Sequence, residues 1–225
     1  PRRFVALVGD AELDEGNVWE ALMDESLSGL SNVLWIVDLN RQSLDRVVPG
    51  IRVSRLRKLF SEIGWRVLEV KYGRRLQAAF ARPGGEALRR RIDDMANEQY
   101  QAIIRLPGAE LRTQLCAVDN KKDAAAIARS LKDLSDADLP GVIADLGGHD
   151  LEELLGALNE FDQKPDRPTV LFAYTIKGWH LPFAGHPLNH SMLLNTEQTE
   201  ALREELGVAA DDEWGRFAPD TPAGQ

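Results

Sequence analysis

Three short apolar runs limit the number of folds that this chain of 225 residues can adopt. They are Phe4–Val8, Val33–Val37 and Thr169–Tyr174, and Arg66–Val70 is a fourth, more amphipathic candidate. Runs of this length without polar alternation are typical of strands buried on both faces of a parallel sheet. Phe4–Val8 reads as such a fully buried strand, and other strands normally flank one. We therefore expect a domain that is truncated at its N-terminus.

Helical periodicity separates the apolar runs. One helix is predicted across Val18–Leu30, a second across Val53–Ile63 with Gly64 as its C-cap, and a third across Leu151–Phe161 with Asp150 as its N-cap. Strands that alternate with helices predict an α/β fold, with a doubly wound parallel sheet flanked by helices.

The stretch from about 73 to 132 differs from its surroundings. It is richly charged, its helices are amphipathic, and it contains no obvious strand. We expect a helical excursion packed on the sheet edge. The basic run Arg89-Arg90-Arg91 is interpreted as a solvated helix face. One α/β domain is therefore expected over residues 1–217, and the last residues, 218–225, are interpreted as a linker or tail.

Composition excludes several functional classes. A hydrophobic fraction of 44% and a charged fraction of 28% suit a folded chain with a real core. The net charge of −9 argues against a general binder of nucleic acid or membrane surfaces. No apolar run approaches membrane-spanning length. The single cysteine, Cys116, cannot form an internal disulfide, which fits a cytoplasmic location.

Polar residues follow the first two predicted strands. Gly9-Asp10-Ala11-Glu12-Leu13-Asp14-Glu15 comes after the first, and Asn40 comes after the second, one β-α-β step later. Ligands of open α/β sheets bind at the carboxyl ends of strands, so Asp10 and Asn40 are expected to meet there. A carboxylate and an amide oxygen suit a hard divalent cation that also holds phosphates. The alternative is an acidic turn that caps the helix beginning near Asn17.

The motif GDAELDEGNVWEAL, followed by VDLNRQSLD, resembles the cofactor signature of thiamine-diphosphate-dependent enzymes. Within them the chain is most similar to the homodimeric type of pyruvate dehydrogenase decarboxylating component, and transketolase is next. Further motifs follow in the same order over Phe4 to about Pro219. They are Gly64-Trp65, Gly147-Gly148-His149-Asp150, Thr175-Ile176-Lys177-Gly178 and Pro187-Leu188-Asn189-His190.

The resemblance implies a role for particular residues. Asp10 and Asn40 would bind Mg²⁺ through their side chains, and Gln42 through its backbone carbonyl. These three residues, with Gly9, Ala11 and Glu12, would form the cofactor-binding set around the diphosphate. Lys177 would face the active-site mouth, and His190 would act on a loop used around substrate and lipoyl transfer. These two are the catalytic candidates.

Two departures from the family pattern accompany these assignments. Ala11 stands where glycine is usual, so its methyl group could crowd the backbone or require an unusual dihedral angle. Asp38 stands where asparagine is frequent, which adds a negative charge near the metal. These two residues leave the strength of cofactor binding undetermined by the sequence.

The resemblance also implies an activity, two cofactors and several partners. The activity is oxidative decarboxylation of pyruvate with acetyl transfer to a lipoyl carrier, and the cofactors are thiamine diphosphate and Mg²⁺. The partners are the pyrimidine-binding domain of a second subunit, in a homodimer, and the lipoyl acetyltransferase component. The activating glutamate belongs to the pyrimidine-binding domain, so the chain alone is expected to be inactive. Two alternatives stay open: a transketolase-type ketol transfer between sugar phosphates, and a split or non-catalytic subunit.

Overall fold

The computed structural model describes residues 2–43, 46–47, 52–211, 214–222 and 224. Its strands are β1 (Phe4–Gly9), β2 (Val33–Leu39), β3 (Gln42–Ser43), β4 (Arg46–Val47), β5 (Arg66–Val70) and β6 (Thr169–Tyr174). Four of them form a parallel sheet in the order β1-β2-β6-β5, while β3 and β4 make a small antiparallel pair. The four predicted strands are confirmed.

Helices fill most of the remaining chain. They are α1 (Gly16–Leu22), α2 (Arg52–Glu62), α3 (Arg74–Phe80), α4 (Gly85–Asp93), α5 (Asn97–Ile103), α6 (Gly108–Cys116), α7 (Lys121–Ser130), α8 (Leu139–Ile143), α9 (Leu151–Gln163) and α10 (Thr196–Glu205). Within the described ranges, none of these helices is long and apolar enough to cross a membrane.

The sheet is covered on both faces. Leu22 of α1 and Phe60 of α2 pack with Val170 and Phe172 on one face. Phe161 of α9 packs on the other face with Leu171 and Ala173. Alternate residues of β6 thus enter opposite layers, and all six are buried. This explains why its sequence is a continuous apolar run, and it confirms the doubly wound α/β prediction.

Two predicted helix ends agree with the structure. Gly64, two residues after the end of α2, adopts a left-handed backbone (φ 86°), and its N–H donates to the Ser61 carbonyl at 3.1 Å. Glycine has no Cβ atom and therefore adopts this left-handed conformation without steric strain, which lets the chain turn from α2 into β5. At the start of α9, the Asp150 side chain accepts a hydrogen bond from the Glu152 N–H at 3.0 Å.

The helical insertion is confirmed and has its own core. Helices α3–α7 occupy the predicted stretch and α8 follows them. The largest fully buried side chains of this stretch are Leu76, Leu88, Leu111, Leu115, Ile127, Leu131, Leu139 and Ile143. The same apolar cluster includes Leu39 and Tyr174, the last residues of β2 and β6. The insertion therefore packs against the carboxyl ends of the central strands.

The prediction that Phe4–Val8 is fully buried is wrong. Phe4, Val5 and Leu7 are 62%, 57% and 75% exposed, and Val8 alone in the run is buried. The reason is position: β1 is an edge strand, and α9 packs over β5 and β6 on that side of the sheet. Val5 and Leu7 therefore have no helix above them among the described residues.

The single helix predicted across Val18–Leu30 is also wrong. Helix α1 ends at Leu22, and a separate 3-10 turn spans Glu25–Leu27. The Asp24 carboxylate accepts the Ser26 N–H at 2.8 Å, so it starts a new turn instead of continuing the helix.

Candidate functional site

The carboxyl ends of β1 and β2 bring the predicted polar residues together. The two strands run side by side, with Gly9 opposite Asp38. The Asp10 N–H donates to the Asp38 carbonyl at 3.1 Å, and the Arg41 N–H donates to Asp10 Oδ2 at 2.7 Å. The predicted neighbourhood of Asp10 and the turn that contains Asn40 is therefore confirmed. The carboxylate lies directly beside this turn.

Asn40 is held by hydrogen bonds on both ends of its amide. Its Oδ1 accepts the Gln42 N–H at 2.9 Å, and its Nδ2 donates to Asp38 Oδ2 at 3.1 Å. The second carboxylate oxygen of Asp38 accepts from the Thr175 hydroxyl. An amide oxygen has two lone pairs, so Asn40 Oδ1 keeps one for a further partner. Asp38, the departure from the family pattern, therefore orients Asn40.

Gln101 of α5 clamps the Asn40–Gln42 turn from the insertion. Its Nε2 donates to the Asn40 carbonyl at 3.2 Å, and its Oε1 accepts from Gln42 Nε2 at 2.6 Å. Gln42 and Gln101 are both 2% exposed. Sequence reasoning missed Gln101, because it lies 61 residues from Asn40 and no local motif marks it.

The electrostatics of Asp10 favour a cation. Burial, the largest cause, and the negative charge of Asp38 together raise the pKa of Asp10 to about 6, although the hydrogen bond from the Arg41 N–H acts in the opposite direction. A raised pKa means that holding this carboxylate in its ionised form costs free energy in the folded protein. A divalent cation at the carboxylate would relieve this cost.

The donor set fits a hard cation that arrives with its own ligands. Asp10, Asn40 and the Gln42 carbonyl offer oxygen atoms, as Mg²⁺ prefers. Among the described residues, no group of three or more His, Cys, Asp or Glu side chains could hold a metal. Asp10 is the single carboxylate among these three oxygen donors. The remaining ligands of a six-coordinate ion would come from a phosphate group and water.

The Gly9–Glu12 turn has ordinary backbone geometry. Ala11 adopts a right-handed helical conformation (φ −72°, ψ −24°), which any residue can occupy. The alanine at this position therefore needs no unusual dihedral angle. The Glu12 side chain folds back, and its Oε1 accepts the Gly9 N–H at 3.1 Å.

The structure brings the two catalytic candidates together. Lys177 Nζ lies 3.1 Å from His190 Nδ1. A lysine ammonium has only donors, so a hydrogen bond at this contact requires the His190 tautomer in which Nδ1 accepts and Nε2 carries the proton. Asn189 fixes the loop between them, because its Nδ2 donates to the Lys177 and Phe183 carbonyls at 3.1 and 2.8 Å. His190 itself is exposed.

His149, to which the sequence assigned no role of its own, connects the Gly147–Asp150 motif to the Thr175–Gly178 motif. Its Nε2 accepts the Ile176 N–H at 2.8 Å, and its ring stacks on Trp179 with centroids 4.2 Å apart. Burial lowers the pKa of His149 to about 4, so it is neutral near pH 7. A Cβ on Gly148 would lie 2.5 Å from the Tyr174 carbonyl oxygen. Glycine there lets the helix-opening motif approach the end of β6.

Fold and site together define an α/β domain with a polar, oxygen-rich cluster at the carboxyl ends of its parallel strands. Comparison with known proteins gives a more particular similarity. The chain is 29% identical over 213 residues to a pyruvate dehydrogenase E1 component of Corynebacterium glutamicum, which covers 92% of the chain and 22% of the relative. It is 25% identical over 212 residues to the Escherichia coli (strain K12) protein of the same name, and this match covers 92% of the chain and 23% of that relative. The resemblance to the pyruvate dehydrogenase decarboxylating component is confirmed.

Other comparisons set the extent of this similarity. The chain spans about a fifth of the length of these relatives. No family model matches it. Solved structures of transketolase mutants from Pichia stipitis cover 92–93% of the chain and 20% of their own, at 15–16% identity and TM-scores of 0.47–0.48.

Proposed function

We propose that this chain is the diphosphate- and magnesium-binding part of a thiamine-diphosphate-dependent pyruvate dehydrogenase decarboxylating component. The domain comprises residues 1–217, and 218–225 form a linker or tail. One observation carries the proposal: the Arg41 N–H bonds to Asp10 Oδ2 at 2.7 Å, so the carboxylate lies against the Asn40–Gln42 turn at adjacent parallel strand ends. The sequence similarity to pyruvate dehydrogenase E1 components supports the same conclusion.

The proposed ligands follow from this geometry. Asp10, the free lone pair of Asn40 Oδ1 and the backbone carbonyl of Gln42 hold Mg²⁺, and the diphosphate completes the coordination. Gly9, Ala11 and Glu12 form the turn beside the diphosphate. Gln101 holds the Asn40–Gln42 turn in place through its two hydrogen bonds. The metal therefore binds to a turn that is already organised before the cofactor arrives.

The proposed chemistry divides between cofactor and protein. Thiamine diphosphate, when bound, supplies the carbanion that adds to the carbonyl carbon of a 2-oxo acid. Lys177 donates a hydrogen bond to Nδ1 of His190, which leaves an N–H group on Nε2 that can donate a hydrogen bond at the mouth of the site. We assign these two residues to transfer of the acetyl group to the lipoyl carrier.

The proposed assembly is that of a cytoplasmic homodimer. The pyrimidine-binding domain of a second subunit supplies the glutamate that activates the cofactor, and the lipoyl acetyltransferase component receives the acetyl group. The chain alone is inactive because it provides one side of such a site. This division predicts cofactor binding without turnover for the 225-residue chain.

The test measures binding of thiamine diphosphate to the chain by calorimetry, with Mg²⁺ and with EDTA. Wild type is expected to bind in a Mg²⁺-dependent manner. Asp10→Ala should weaken binding by about 100-fold or more, because the ion loses its carboxylate and the diphosphate loses charge compensation. Glu15→Ala is the control, since this exposed acid lies five positions further along the same segment. Equal affinities of wild type and Asp10→Ala, or binding that ignores Mg²⁺, would refute the assignment.

A second measurement separates the proposed reaction from ketol transfer. The chain is combined with its pyrimidine-domain partner and assayed with pyruvate and a lipoyl acceptor, and separately with a ketose phosphate donor and an aldose phosphate acceptor. Pyruvate-dependent acetylation of the lipoyl group supports the proposal. Ketol transfer without acetylation would replace it with the transketolase-type activity.

A further inference from the structure

The chain leaves the parallel sheet after β6, and the segment that follows carries Lys177. Its last hydrogen bond to a strand is donated by the Thr175 N–H to the Leu39 carbonyl, at 3.2 Å. The pairing of β6 with its two neighbours stops before Ile176, so no described strand lies beside this residue to accept its N–H. Ile176 is 4% exposed. A buried N–H without an acceptor costs free energy, so Ile176 needs an acceptor from another part of the fold.

The imidazole of His149 supplies this acceptor. Its Nε2 lies 2.8 Å from the Ile176 nitrogen, and a backbone N–H can only donate, so the His149 proton is on Nδ1. The ring is half-buried and stacks on Trp179 at an interplanar angle of 9°. Burial is the main reason that the pKa of His149 falls to about 4, with the charge of Asp38 acting against it and His180 acting with it. His149 therefore keeps its Nε2 lone pair at neutral pH.

The backbone on either side of His149 is itself fixed. On one side, the Gly147 N–H donates to the Lys71 carbonyl at 3.1 Å, next to the end of β5. On the other side, the carboxylate of Asp150 accepts the Arg74 N–H at 2.9 Å, at the start of α3. The imidazole thus projects from a turn that is attached to the body of the domain at both ends, and it can serve as a fixed point for the segment after β6.

The loop that carries His190 is attached to the same segment through the Lys177 carbonyl. This carbonyl accepts the Gly185 N–H at 3.0 Å and Asn189 Nδ2 at 3.1 Å. Asn189 is 7% exposed and directly precedes His190, whose Nδ1 lies 3.1 Å from Lys177 Nζ. A displacement of the peptide between Ile176 and Lys177 would therefore move both partners of this contact.

We propose that His149 is a positioning residue for the Lys177–His190 pair. By accepting the Ile176 N–H, it places Lys177 where the ammonium donates to His190 Nδ1 and favours the tautomer with the proton on Nε2. His149 acts through the backbone and takes no part in the chemistry itself. The value of this tautomer for acetyl transfer rests on the proposed function, whereas the tautomer is a property of the chain alone and can be measured without turnover.

The first measurement uses NMR of the deuterated, ¹⁵N-labelled wild-type chain at about pH 8, where an ordinary histidine is neutral. A ¹⁵N–¹⁵N coupling through the hydrogen bond is expected between Ile176 N and His149 Nε2. Long-range ¹H–¹⁵N spectra of the imidazoles show which nitrogen carries the proton. We expect Nδ1 for His149 and mainly Nε2 for His190. A resolved Ile176 amide without this coupling, or a His190 that carries its proton mainly on Nδ1, would overturn the proposal.

Two substitutions separate the acceptor of His149 from its ring. His149→Phe retains an aromatic ring against Trp179 and loses the acceptor, and it should lower the ratio of Nε2–H to Nδ1–H tautomers of His190 about threefold or more. His149→Gln loses the ring and offers an oxygen near the position of Nε2, so it should keep this ratio within about twofold of wild type. The control is His180→Asn, which changes the exposed histidine at the edge of Trp179 and should leave the ratio unchanged.

Near-UV circular dichroism checks that each variant is folded, and the wild-type coupling tests the proposal without them. A folded His149→Phe with the wild-type ratio would overturn the proposal, as would a His149→Gln that lowers the ratio as far as His149→Phe does. In the assembled enzyme, His149→Phe should reduce acetyl transfer to lipoyl about threefold more than decarboxylation with an artificial acceptor, and His149→Gln should restore it. A wild-type enzyme inactive with pyruvate would contradict the proposed function, while the tautomer ratio would still decide the role of His149.

Discussion

Replacing Asp10 by asparagine should stabilise the chain in the absence of metal, although Asp10 is the central candidate ligand. Burial and the charge of Asp38 raise the pKa of Asp10 from an ordinary 3.8 to about 6. At about 1.4 kcal/mol for each unit, the ionised carboxylate costs up to roughly 3 kcal/mol of folding free energy near neutral pH. Asparagine has nearly the same shape, carries no charge, and its Oδ1 can still accept the Arg41 N–H.

The sign of the pH dependence makes this prediction specific. A group whose pKa is higher in the folded state favours folding when it is protonated. The advantage of Asp10→Asn should therefore be full above pH 6 and shrink as the pH falls, vanishing below the ordinary value of 3.8. At neutral pH we expect a gain of about 1–3 kcal/mol in the free energy of unfolding, or roughly 2–4 °C in melting temperature for each kcal/mol.

The assay is urea unfolding of wild type and variant in EDTA at about pH 7.5 and about pH 4.5. Glu15→Gln is the matched control, because it removes one negative charge from an exposed position in the same segment. It should change stability by no more than about 0.5 kcal/mol. A variant no more stable than wild type at the higher pH, or a gain that stays constant with pH, would refute the reasoning.

Three further predictions concern the metal, the loop histidine and a close backbone contact. Mg²⁺-dependent cofactor binding, measured by calorimetry, should weaken by about tenfold for each pH unit below about 6, since protons then compete for Asp10; affinity constant down to pH 5 would contradict this. In the assembled enzyme, His190→Ala should reduce acetyl transfer to lipoyl about tenfold more than decarboxylation with an artificial electron acceptor; equal losses would place His190 on the shared step. Gly148→Ala should lower the free energy of unfolding, measured in urea, by about 1–3 kcal/mol, because the new Cβ lies 2.5–2.6 Å from atoms of Tyr174 and Thr175. The control is Gly156→Ala on α9, where no atom lies within 4 Å of the new Cβ. This substitution should be neutral or stabilising.

The sheet could be predicted from sequence wherever burial on two faces imposes a continuous apolar run. β6 is such a case, and its predicted limits agree with the structure at both ends. β1 shows the limit of the method. Its composition is equally apolar, but it lies at an edge, and composition alone does not distinguish an edge strand from a central one.

Residues of the site could likewise be predicted where neighbouring strands place them together, but not where distant elements of the chain pack together. Asp10 and Asn40 could be predicted because one β-α-β step fixes their strands side by side. The burial of the Arg41 Nε and Nη2 atoms and the contact of His149 with Ile176 depend on how separate elements pack, so neither can be predicted from residues at a fixed spacing. The same holds for Gln101, whose partners lie on a turn that precedes it by some sixty residues.

The hydrogen bonds of Gln101 have a thermodynamic consequence that extends beyond the turn they hold. Because Gln101 of α5 holds the Asn40–Gln42 turn, a ligand that binds the ordered turn must also stabilise α5. The coupling is reciprocal, so a folded α5 must increase the affinity of that ligand by the same free energy. Amide hydrogens of α5 would then exchange more slowly whenever the turn is occupied, because the hydrogen bonds of Gln101 connect the helix to the turn. The helices of the insertion thereby become part of what sets affinity at the sheet, and stability lost deep in their core is transmitted as weaker binding.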